Sequence, residues 1–112
     1  MRRRRRVQRV GAGLALTAAC FTGPAALVGI FAVALMRAAF EFTLAFARNE
    51  RRGGIHPIIE HQAVGYALAD AKTAIEAARY LSWRACHAVD TQSPAADELA
   101  IEAKIYGSET AV

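Results

Sequence analysis

The sequence predicts an all-α protein, an up-and-down helical bundle in which three helices are present and a fourth is missing. Hydrophobic residues make up 54% of the 112 residues, and many of them are alanine, which favours helix over sheet. Only three prolines are present, and two of them stand where a helix would begin. Apolar residues recur at spacings of three and four along much of the chain, the period of an α-helix. A chain of this length holds one small domain with one core.

The N-terminus is strongly basic, with six arginines among the first nine residues. Residues 1–52 carry ten arginines against two glutamates, a net of +8, and residues 53–112 carry a net of −4. A basic run of this kind can bind nucleic acid, an acidic membrane surface or an import receptor. No aromatic residue interleaves with it, so a specific nucleic-acid partner is not expected. Residues 1–13 are predicted to be a disordered or targeting extension, and residues 14–112 the helical domain.

A segment of 27 uncharged residues separates Arg9 from Arg37 and permits two interpretations. It is long enough for a transmembrane span over about residues 10–36, with arginines on the flanks. It also fits a buried helix that begins at Pro24 and runs through Arg48, because Phe40, Leu44 and Ala47 continue an apolar stripe past the uncharged segment. The buried helix is favoured. The location stays open: an intracellular one, mitochondrial or cytoplasmic, is favoured, with the membrane as the alternative.

The second helix is predicted to begin at Pro57, after a polar break over residues 49–56, and to end near Asp90. Lys72, Glu76 and Arg79 lie one turn apart and predict a charged, solvated edge. Tyr80 and Trp83 are expected in the core or at helix contacts. One stripe of the helix is Ile59, Ala63, Tyr66, Asp70, Thr73, Ala77, Tyr80 and Arg84, with Ala67, Ala74, Ala78 and Leu81 beside it.

The segment HPIIEH, residues 56–61, has a superficial likeness to the zinc-peptidase motif H-x-x-E-H. Its spacing is one residue too long, so that His56 and His61 would point about 140° apart on a helix. Pro57 also leaves His56 outside the helix. No metal site is therefore predicted, His56 is assigned to the loop, and His61 to a helix surface or interface.

The third helix is predicted from the segment DTQSP, a turn in which Ser93 is the N-cap and Pro94 the first helical residue. Asp97 and Glu98 then lie near the positive end of the helix dipole. Three helices with such apolar faces require a fourth, from another chain or from further sequence.

The two cysteines, Cys20 and Cys86, have neither CxxC spacing nor a disulfide framework around them. They are expected to be reduced thiols in the core of an intracellular protein.

The stretch RRGGIHPIIEHQAVGYALADAKTAIEAARYLSWRA resembles the C-terminal helical domain of the acyl-CoA dehydrogenases and their flavin oxidase relatives. It is most similar to the nitroalkane oxidase branch, with its Arg-Gly-Gly turn, the sequence IIEHQ and spaced Asp, Lys, Glu, Arg and Trp. The resemblance covers roughly residues 14–112 and is most specific over residues 50–84.

This resemblance implies an FAD-dependent oxidoreductase that works as a dimer or tetramer. In the family a carboxylate removes a proton next to the activating group of an acyl-CoA or nitroalkane substrate, and the flavin takes the hydride or the electrons. An arginine before the helix and the glutamine of EHQ reach the FAD of a neighbouring subunit. The matching positions here are Arg51 or Arg52, and Gln62. A guanidinium suits a pyrophosphate, and a side-chain amide near a helix start bonds the cofactor.

The sequence also departs from the family. Gly54 stands where an aromatic residue usually follows the arginine. One subgroup carries its catalytic carboxylate early in the first helix, near Leu16, but no acidic residue precedes Glu41. In the other members the base lies beyond residue 112. No catalytic residue is therefore assigned, and the chain is expected to be a truncated domain that is inactive alone.

Overall fold

The computed structural model describes residues 12–112. Its elements are α1 (Ala12–Asn49), a single 3₁₀ turn (Ile58–Glu60), α2 (Gln62–Asp90) and α3 (Ala96–Thr110). This part of the chain contains no strand, so the all-α prediction is confirmed. The predicted extension over residues 1–13 falls almost wholly outside the described residues.

The three helices pack in an up-and-down order. Near one end, Ala26 of α1 shares a buried cluster with Ala85 of α2 and Ala100 of α3. Further along α1, Met36 packs with Ile75, and it borders a cleft that Thr110 also lines. Residue numbers therefore rise together in α1 and α3 and fall in α2, which makes α2 antiparallel to both.

The core is built mainly from small side chains, which lets the helices approach closely. One cluster joins all three helices, and the other lies between α1 and α2. The first consists of Ala26, Ala85, Ala88, Leu99, Ala100 and Ala103; the second consists of Ala32, Val33, Met36, Ile75 and Ala78.

The prediction that the first helix begins at Pro24 is wrong, since α1 starts at Ala12 and continues through the proline. A proline inside a helix removes one backbone hydrogen bond, to the carbonyl four residues earlier. Here that carbonyl belongs to Cys20, and both Cys20 and Pro24 are exposed, so water can solvate the site.

The inner face of α1 follows the predicted apolar stripe. Ala47 is buried, and Phe40 and Leu44 are half-buried. Between Ala26 and Met36 the same face packs against α2 and α3, so this half of the predicted span 10–36 belongs to the bundle core. By length and composition alone, α1 is the one described helix able to cross a membrane.

Pro57 starts a 3₁₀ turn, and α2 begins only at Gln62, five residues later than predicted. The Glu60 amide donates to the Pro57 carbonyl at 3.0 Å and the His61 amide to Ile58 at 3.1 Å, both 3₁₀ bonds. His61 then adopts an extended conformation, with ψ 123°, which separates the turn from the α-helix.

The face that α2 buries differs from the predicted stripe. The buried residues are Ile75, Ala78, Ser82, Ala85 and Ala88. Tyr80 and Trp83 are exposed by 65% and 56%, which corrects their assignment to the core. Their rings stack edge to face at 5.6 Å, and Trp83 lines a shallow cleft together with Val33 of α1. Small residues occupy the core face because α1 and α3 lie too close for aromatic rings.

The charged edge of α2 agrees with the prediction. Glu76 pairs with Lys72 and, at 2.9 Å, with Arg79. The pKa of Glu76 lies below its ordinary value, chiefly because the Lys72 ammonium donates a hydrogen bond to its carboxylate.

The turn between α2 and α3 is a Schellman motif. The amide of Ser93 donates to the Ala88 carbonyl at 2.9 Å, and the amide of Gln92 to Val89 at 3.2 Å. Gln92 takes the left-handed conformation that this motif requires, with φ 52°.

The third helix starts two residues later than predicted. Ser93 Oγ accepts the amide of Ala95 at 3.3 Å, a capping contact, but α3 itself begins at Ala96. Asp97 and Glu98 occupy its first turn, as expected.

Both cysteines are free thiols, as predicted. Cys20 is exposed rather than part of the core, because its side of α1 lies outside the packed bundle, and Cys86 is half-buried.

Candidate functional site

The candidate site residues lie in the connection between α1 and α2 and at the first position of α2. The connection opens with a tight turn in which the amide of Gly54 donates to the Arg51 carbonyl at 2.7 Å. Arg52 and Gly53 at its centre have φ 42° and 79°, and positive values at both positions characterise a type I′ turn. The amide of Ile58 donates to the Glu50 carbonyl at 2.8 Å and closes the loop.

The carboxylate of Glu50 organises this turn. One of its oxygens accepts the backbone amides of Arg51 at 3.0 Å and of Arg52 at 2.9 Å. The hydrogen bond from the Arg52 amide is the main reason that the pKa of Glu50 lies below its ordinary value. Glu50 is therefore ionised at neutral pH, and it fixes the backbone from which both arginines extend.

The two guanidinium groups are exposed and separately oriented. Arg51 Nη1 donates to the Ile55 carbonyl at 2.8 Å, which folds this side chain over the turn. The Arg52 guanidinium lies 5.8 Å from the centre of the Phe46 ring, a cation–π distance. The two positive charges thus occupy adjacent positions on one solvent-facing turn.

Gln62 is the first residue of α2, and its amide nitrogen lies 2.7 Å from the Tyr66 hydroxyl, one turn along the helix. The Gln62 side chain is exposed, like both arginines. The structure brings Arg51 and Arg52 together in the turn, and Gln62 stands apart at the other end of the connection.

The histidines do not converge on a common point. His56 lies in the loop, as predicted, and its Nδ1 is 3.1 Å from Glu60 Oε2. His61 precedes α2 and is exposed. Within residues 12–112, no three His, Cys, Asp or Glu side chains are grouped to hold a metal ion.

Comparisons with known proteins bear on this connection and on the whole bundle. The family described as acyl-CoA dehydrogenase, C-terminal domain, matches residues 11–112. The chain belongs to that family. Nitroalkane oxidase of Podospora anserina is 44% identical over 105 residues, which cover 91% of this chain and 24% of the relative. The mitochondrial short-chain specific acyl-CoA dehydrogenase of Bos taurus is 36% identical over 80 residues, 71% of this chain and 19% of the relative.

A solved structure agrees with this assignment. Nitroalkane oxidase in complex with spermine, described as a competitive inhibitor, superimposes with a TM-score of 0.84 at 38% identity. The match covers 89% of this chain and 24% of that structure. The acyl-CoA dehydrogenase-type domain thus spans about a quarter of the length of the relatives that it matches.

The chemistry of the connection in this acyl-CoA dehydrogenase-type domain suits a phosphorylated ligand. Arg51 and Arg52 carry planar guanidinium groups on an exposed turn. A guanidinium can donate two parallel hydrogen bonds to the oxygens of one phosphate. Gln62 adds an amide that can donate or accept a hydrogen bond. The donor set therefore fits the pyrophosphate of a dinucleotide cofactor.

Two residues were missed in the sequence, Glu50 in the connection and Phe46 beside it in α1. Glu50 holds the turn and Phe46 orients Arg52, but neither was singled out. The signal for Glu50 was available, since a carboxylate directly before Arg-Arg-Gly-Gly can accept the amides of the turn that follows it. Phe46 gave no such signal, because its contact depends on how the turn folds back over α1.

Proposed function

We propose that residues 14–112 act as the C-terminal helical domain of an FAD-dependent oxidoreductase, either an oxidase of nitroalkane-like substrates or a dehydrogenase of acyl-CoA thioesters. The domain contributes flavin-binding residues and packing surface to a homo-oligomer or to the remaining domains of the enzyme. The observation that carries this proposal is the pair of exposed guanidiniums on the turn before α2, at the two positions that the family resemblance assigns to cofactor binding.

In this proposal Arg51 and Arg52 bind the pyrophosphate of FAD, and Gln62 bonds the cofactor from the start of α2. The Glu50 carboxylate holds both arginine amides and so presents the two side chains on the same turn. Ionised Glu50 also lowers the net positive charge of the turn, which limits the repulsion between the neighbouring guanidiniums.

FAD supplies the electron acceptor, since the flavin takes the hydride or the electron pair when substrate is oxidised. The side chains of this domain bind and orient it. The domain contributes no proton-abstracting carboxylate near Leu16, because the first acidic residue of α1 is Glu41. We therefore expect no turnover by this chain alone.

Cofactor binding tests the site directly, without any activity readout. Purified chain is titrated with FAD at low salt, and bound flavin is measured by equilibrium dialysis. Loss of one charge-assisted hydrogen bond costs about 1.5–3 kcal/mol, so Arg51→Gln should weaken binding by tenfold or more. Gln62→Ala removes a hydrogen bond between neutral groups and should weaken FAD binding by a smaller factor.

Arg48→Gln is the matched control, because Arg48 is an exposed arginine near the end of the same helix but outside the turn. Riboflavin, which has no phosphate, should bind equally to all variants. The assignment is wrong if Arg51→Gln and Arg48→Gln weaken FAD binding equally, or if riboflavin binding follows the same order as FAD binding.

The expected lack of turnover by the chain alone is tested separately. Chain supplemented with FAD is assayed for oxidation of nitroalkanes and of acyl-CoA thioesters. Robust turnover of either substrate would contradict the claim that the chain alone lacks a base.

A further inference from the structure

The first ten residues of α1, residues 12–21, lie outside the packed bundle. All ten are exposed and none is charged. The hydroxyl of Thr22 bonds the carboxylate of Asp97 in α3, and Ala26 is the first buried residue of the helix. About 15 Å of helix therefore stands free of the core. Its large apolar side chains are exposed by 58% to 79%, and they are Leu14, Leu16 and Phe21.

The apolar surface continues along the side of α1 that faces away from α2 and α3. Its members there are Leu27, Phe31, Leu35 and Phe42, which are exposed by 53% to 75%. At 100° per residue they lie within about 80° of one another, opposite the buried residues of the helix. Together with Leu14, Leu16 and Phe21 they form the outer face of α1.

No charged side chain interrupts the outer face. The charged residues of α1 are Arg37, Glu41 and Arg48. At 100° per residue these three lie within about 40° of one another, on one edge of the helix between the outer face and the buried side. Arg37 Nε and Glu41 Oε1 also pair with each other at 2.7 Å. The outer face is thus an uncharged apolar strip about 42 Å long, from Leu14 to Phe42.

The arginine run stands directly before this strip in the sequence. Residues 2–6 and Arg9 supply six positive charges, and α1 begins at Ala12, three residues after Arg9. No acidic residue precedes Glu41, so no carboxylate side chain before the end of the strip's first half offsets these charges. A cluster of cations beside an uncharged apolar strip is the combination by which a segment binds the surface of an anionic membrane.

We propose that the outer face of α1 and the arginines of residues 2–9 together bind the surface of an anionic phospholipid bilayer, with α1 lying along the bilayer rather than crossing it. The apolar side chains enter the boundary between head groups and acyl chains, and the arginines bind the head-group phosphates. On the other side of the same helix, Val33 and Met36 share a buried cluster with Ile75 of α2. A helix held in the bundle on that side is not surrounded by lipid.

A bilayer surface accounts for both features, whereas other partners account for one. A nucleic acid would neutralise the arginines but leave seven large apolar side chains in water. A second apolar helix would cover the side chains but bring two arginine runs close together. Beside the outer face, Asp97 and Lys104 line a cleft of about 670 Å³ together with Phe21 and Val28. Their charges are opposite, so the arginines set the charge of this end of the molecule.

Sedimentation of the full chain with phospholipid vesicles tests the proposal. We expect binding to vesicles of equal parts phosphatidylcholine and phosphatidylglycerol, and much weaker binding to phosphatidylcholine alone. Each arginine near an anionic surface contributes ~1 kcal/mol, or about fivefold in the partition coefficient, so Arg2→Gln with Arg3→Gln should weaken binding about 25-fold. The matched control is Arg48→Gln with Arg84→Gln, which lowers the net charge equally at exposed sites outside the run. The control should bind vesicles nearly as the parent chain does.

The apolar contribution is tested on the outer face itself. Phe31→Gln and Phe42→Gln should each weaken vesicle binding about tenfold, because the ring no longer enters the apolar boundary. Tyr80→Gln is the matched control, since Tyr80 is an exposed aromatic residue of α2, and it should bind vesicles as the parent chain does. All three variants should keep their helix content in circular dichroism, because none of these side chains is buried.

The orientation of α1 is tested by the depth of two tryptophans. Phe21→Trp and Phe42→Trp are made separately in a Trp83→Phe background, because Trp83 is the one tryptophan of the chain. With α1 along the surface, lipids brominated near the head group should quench both tryptophans most strongly. A helix that crossed the bilayer over residues 10–36 would place Phe21 near the bilayer centre, where lipids brominated deep in the acyl chain quench best.

The proposal is overturned if the chain does not sediment with the mixed vesicles, if the two arginine pairs weaken binding equally, or if Phe31→Gln and Tyr80→Gln weaken it equally. Deep quenching of Phe21→Trp would reject a surface contact in favour of a crossing helix. Binding of duplex DNA that depends on Arg2 and Arg3, with vesicle binding unaffected by Phe31→Gln, would assign the run to nucleic acid. The Arg2→Gln, Arg3→Gln variant should bind FAD like the parent chain, so failure of this contact and failure of the cofactor site are distinguishable.

Discussion

Gly29 of α1 and Gly107 of α3 meet backbone to backbone where the two helices cross. A methyl group on Gly107 would lie 3.3 Å from the Cα of Gly29 and 3.3 Å from the Cβ of Ala32. A methyl group on Gly29 would lie only 2.6 Å from Ser82 Oγ and 3.1 Å from the Ala103 carbonyl oxygen. All three helices therefore come together at Gly29.

Gly29→Ala should destabilise the bundle. Alanine gains about 1 kcal/mol of helix propensity over glycine, but overpacking against Ser82 and the Ala103 backbone costs about 1–3 kcal/mol. The expected net result is a lower free energy of unfolding, measured by thermal melting with circular dichroism. Gly65→Ala is the control, since its nearest neighbour would be the Ile59 carbonyl oxygen at 3.6 Å, an ordinary contact. It should stabilise the chain, and a stabilising Gly29→Ala would contradict the close crossing.

Ser82→Ala should stabilise the chain. The Ser82 hydroxyl is fully buried, and it has no hydrogen-bond partner among residues 12–112. Removing a desolvated, unpaired hydroxyl raises the free energy of unfolding by about 1 kcal/mol. The same change removes the atom nearest to a Gly29 methyl, so Gly29→Ala should cost less in the Ser82→Ala background. A double-mutant cycle by chemical denaturation measures this coupling, and strict additivity would argue against the contact.

Gln92→Gly should also stabilise the chain, for a backbone reason. Gln92 is held at φ 52°, a conformation that costs a residue with a side chain about 1 kcal/mol but costs glycine almost nothing. The melting temperature should rise accordingly. Thr91→Gly makes the comparison, because Thr91 has φ −84° and its hydroxyl bonds the His87 carbonyl at 2.8 Å. That variant should melt lower than the parent, and a lower melting temperature for Gln92→Gly would refute the assigned turn.

The sequence predicted which segments are helical better than it predicted which faces they bury. Pro57 and Pro94 marked the two connections correctly, but α1 runs through the exposed Pro24, and α2 and α3 begin five and two residues later than predicted. In α2, alanine occurs on every side, so apolar spacing does not identify one face. Ser82 is buried and Trp83 is exposed because only a small side chain fits where the helices cross at Gly29. The distance between the helices at this crossing depends on the packing of all three.

For the candidate site, too, the sequence predicted some features and not others. Arg51, Arg52 and Gln62 were selected by resemblance to a family, and they lie at the ends of one connection. The contact that organises the turn, from Glu50 to two backbone amides, depends on a left-handed conformation at Arg52 that few residues other than glycine adopt. The place of Glu50 directly before Arg-Arg-Gly-Gly was a local signal for this contact, but only the folded turn shows the left-handed Arg52 whose amide reaches the carboxylate.

The Glu50 contact predicts a pH-dependent change in the turn. Hydrogen bonds from the amides of Arg52 and Arg51 hold the pKa of Glu50 below its ordinary value of 4.5. The folded pKa is lower than the unfolded one, so the contribution of Glu50 is complete above pH 4.5 and is lost as the pH falls through the lowered pKa. The amide resonances of Arg51 and Arg52 should shift together on acidification, with a midpoint below pH 4.5.

The variant Glu50→Gln separates this local event from global acid unfolding. Its amide resonances should lack the transition, because glutamine does not ionise, and the helix signal in circular dichroism should match that of the parent chain at the same pH. If the amide resonances of Arg51 and Arg52 shift with pH identically in the parent chain and in Glu50→Gln, the shifts report the titration of another group. In that case Glu50 does not hold the turn. A parent midpoint at or above 4.5 would likewise contradict the two hydrogen bonds.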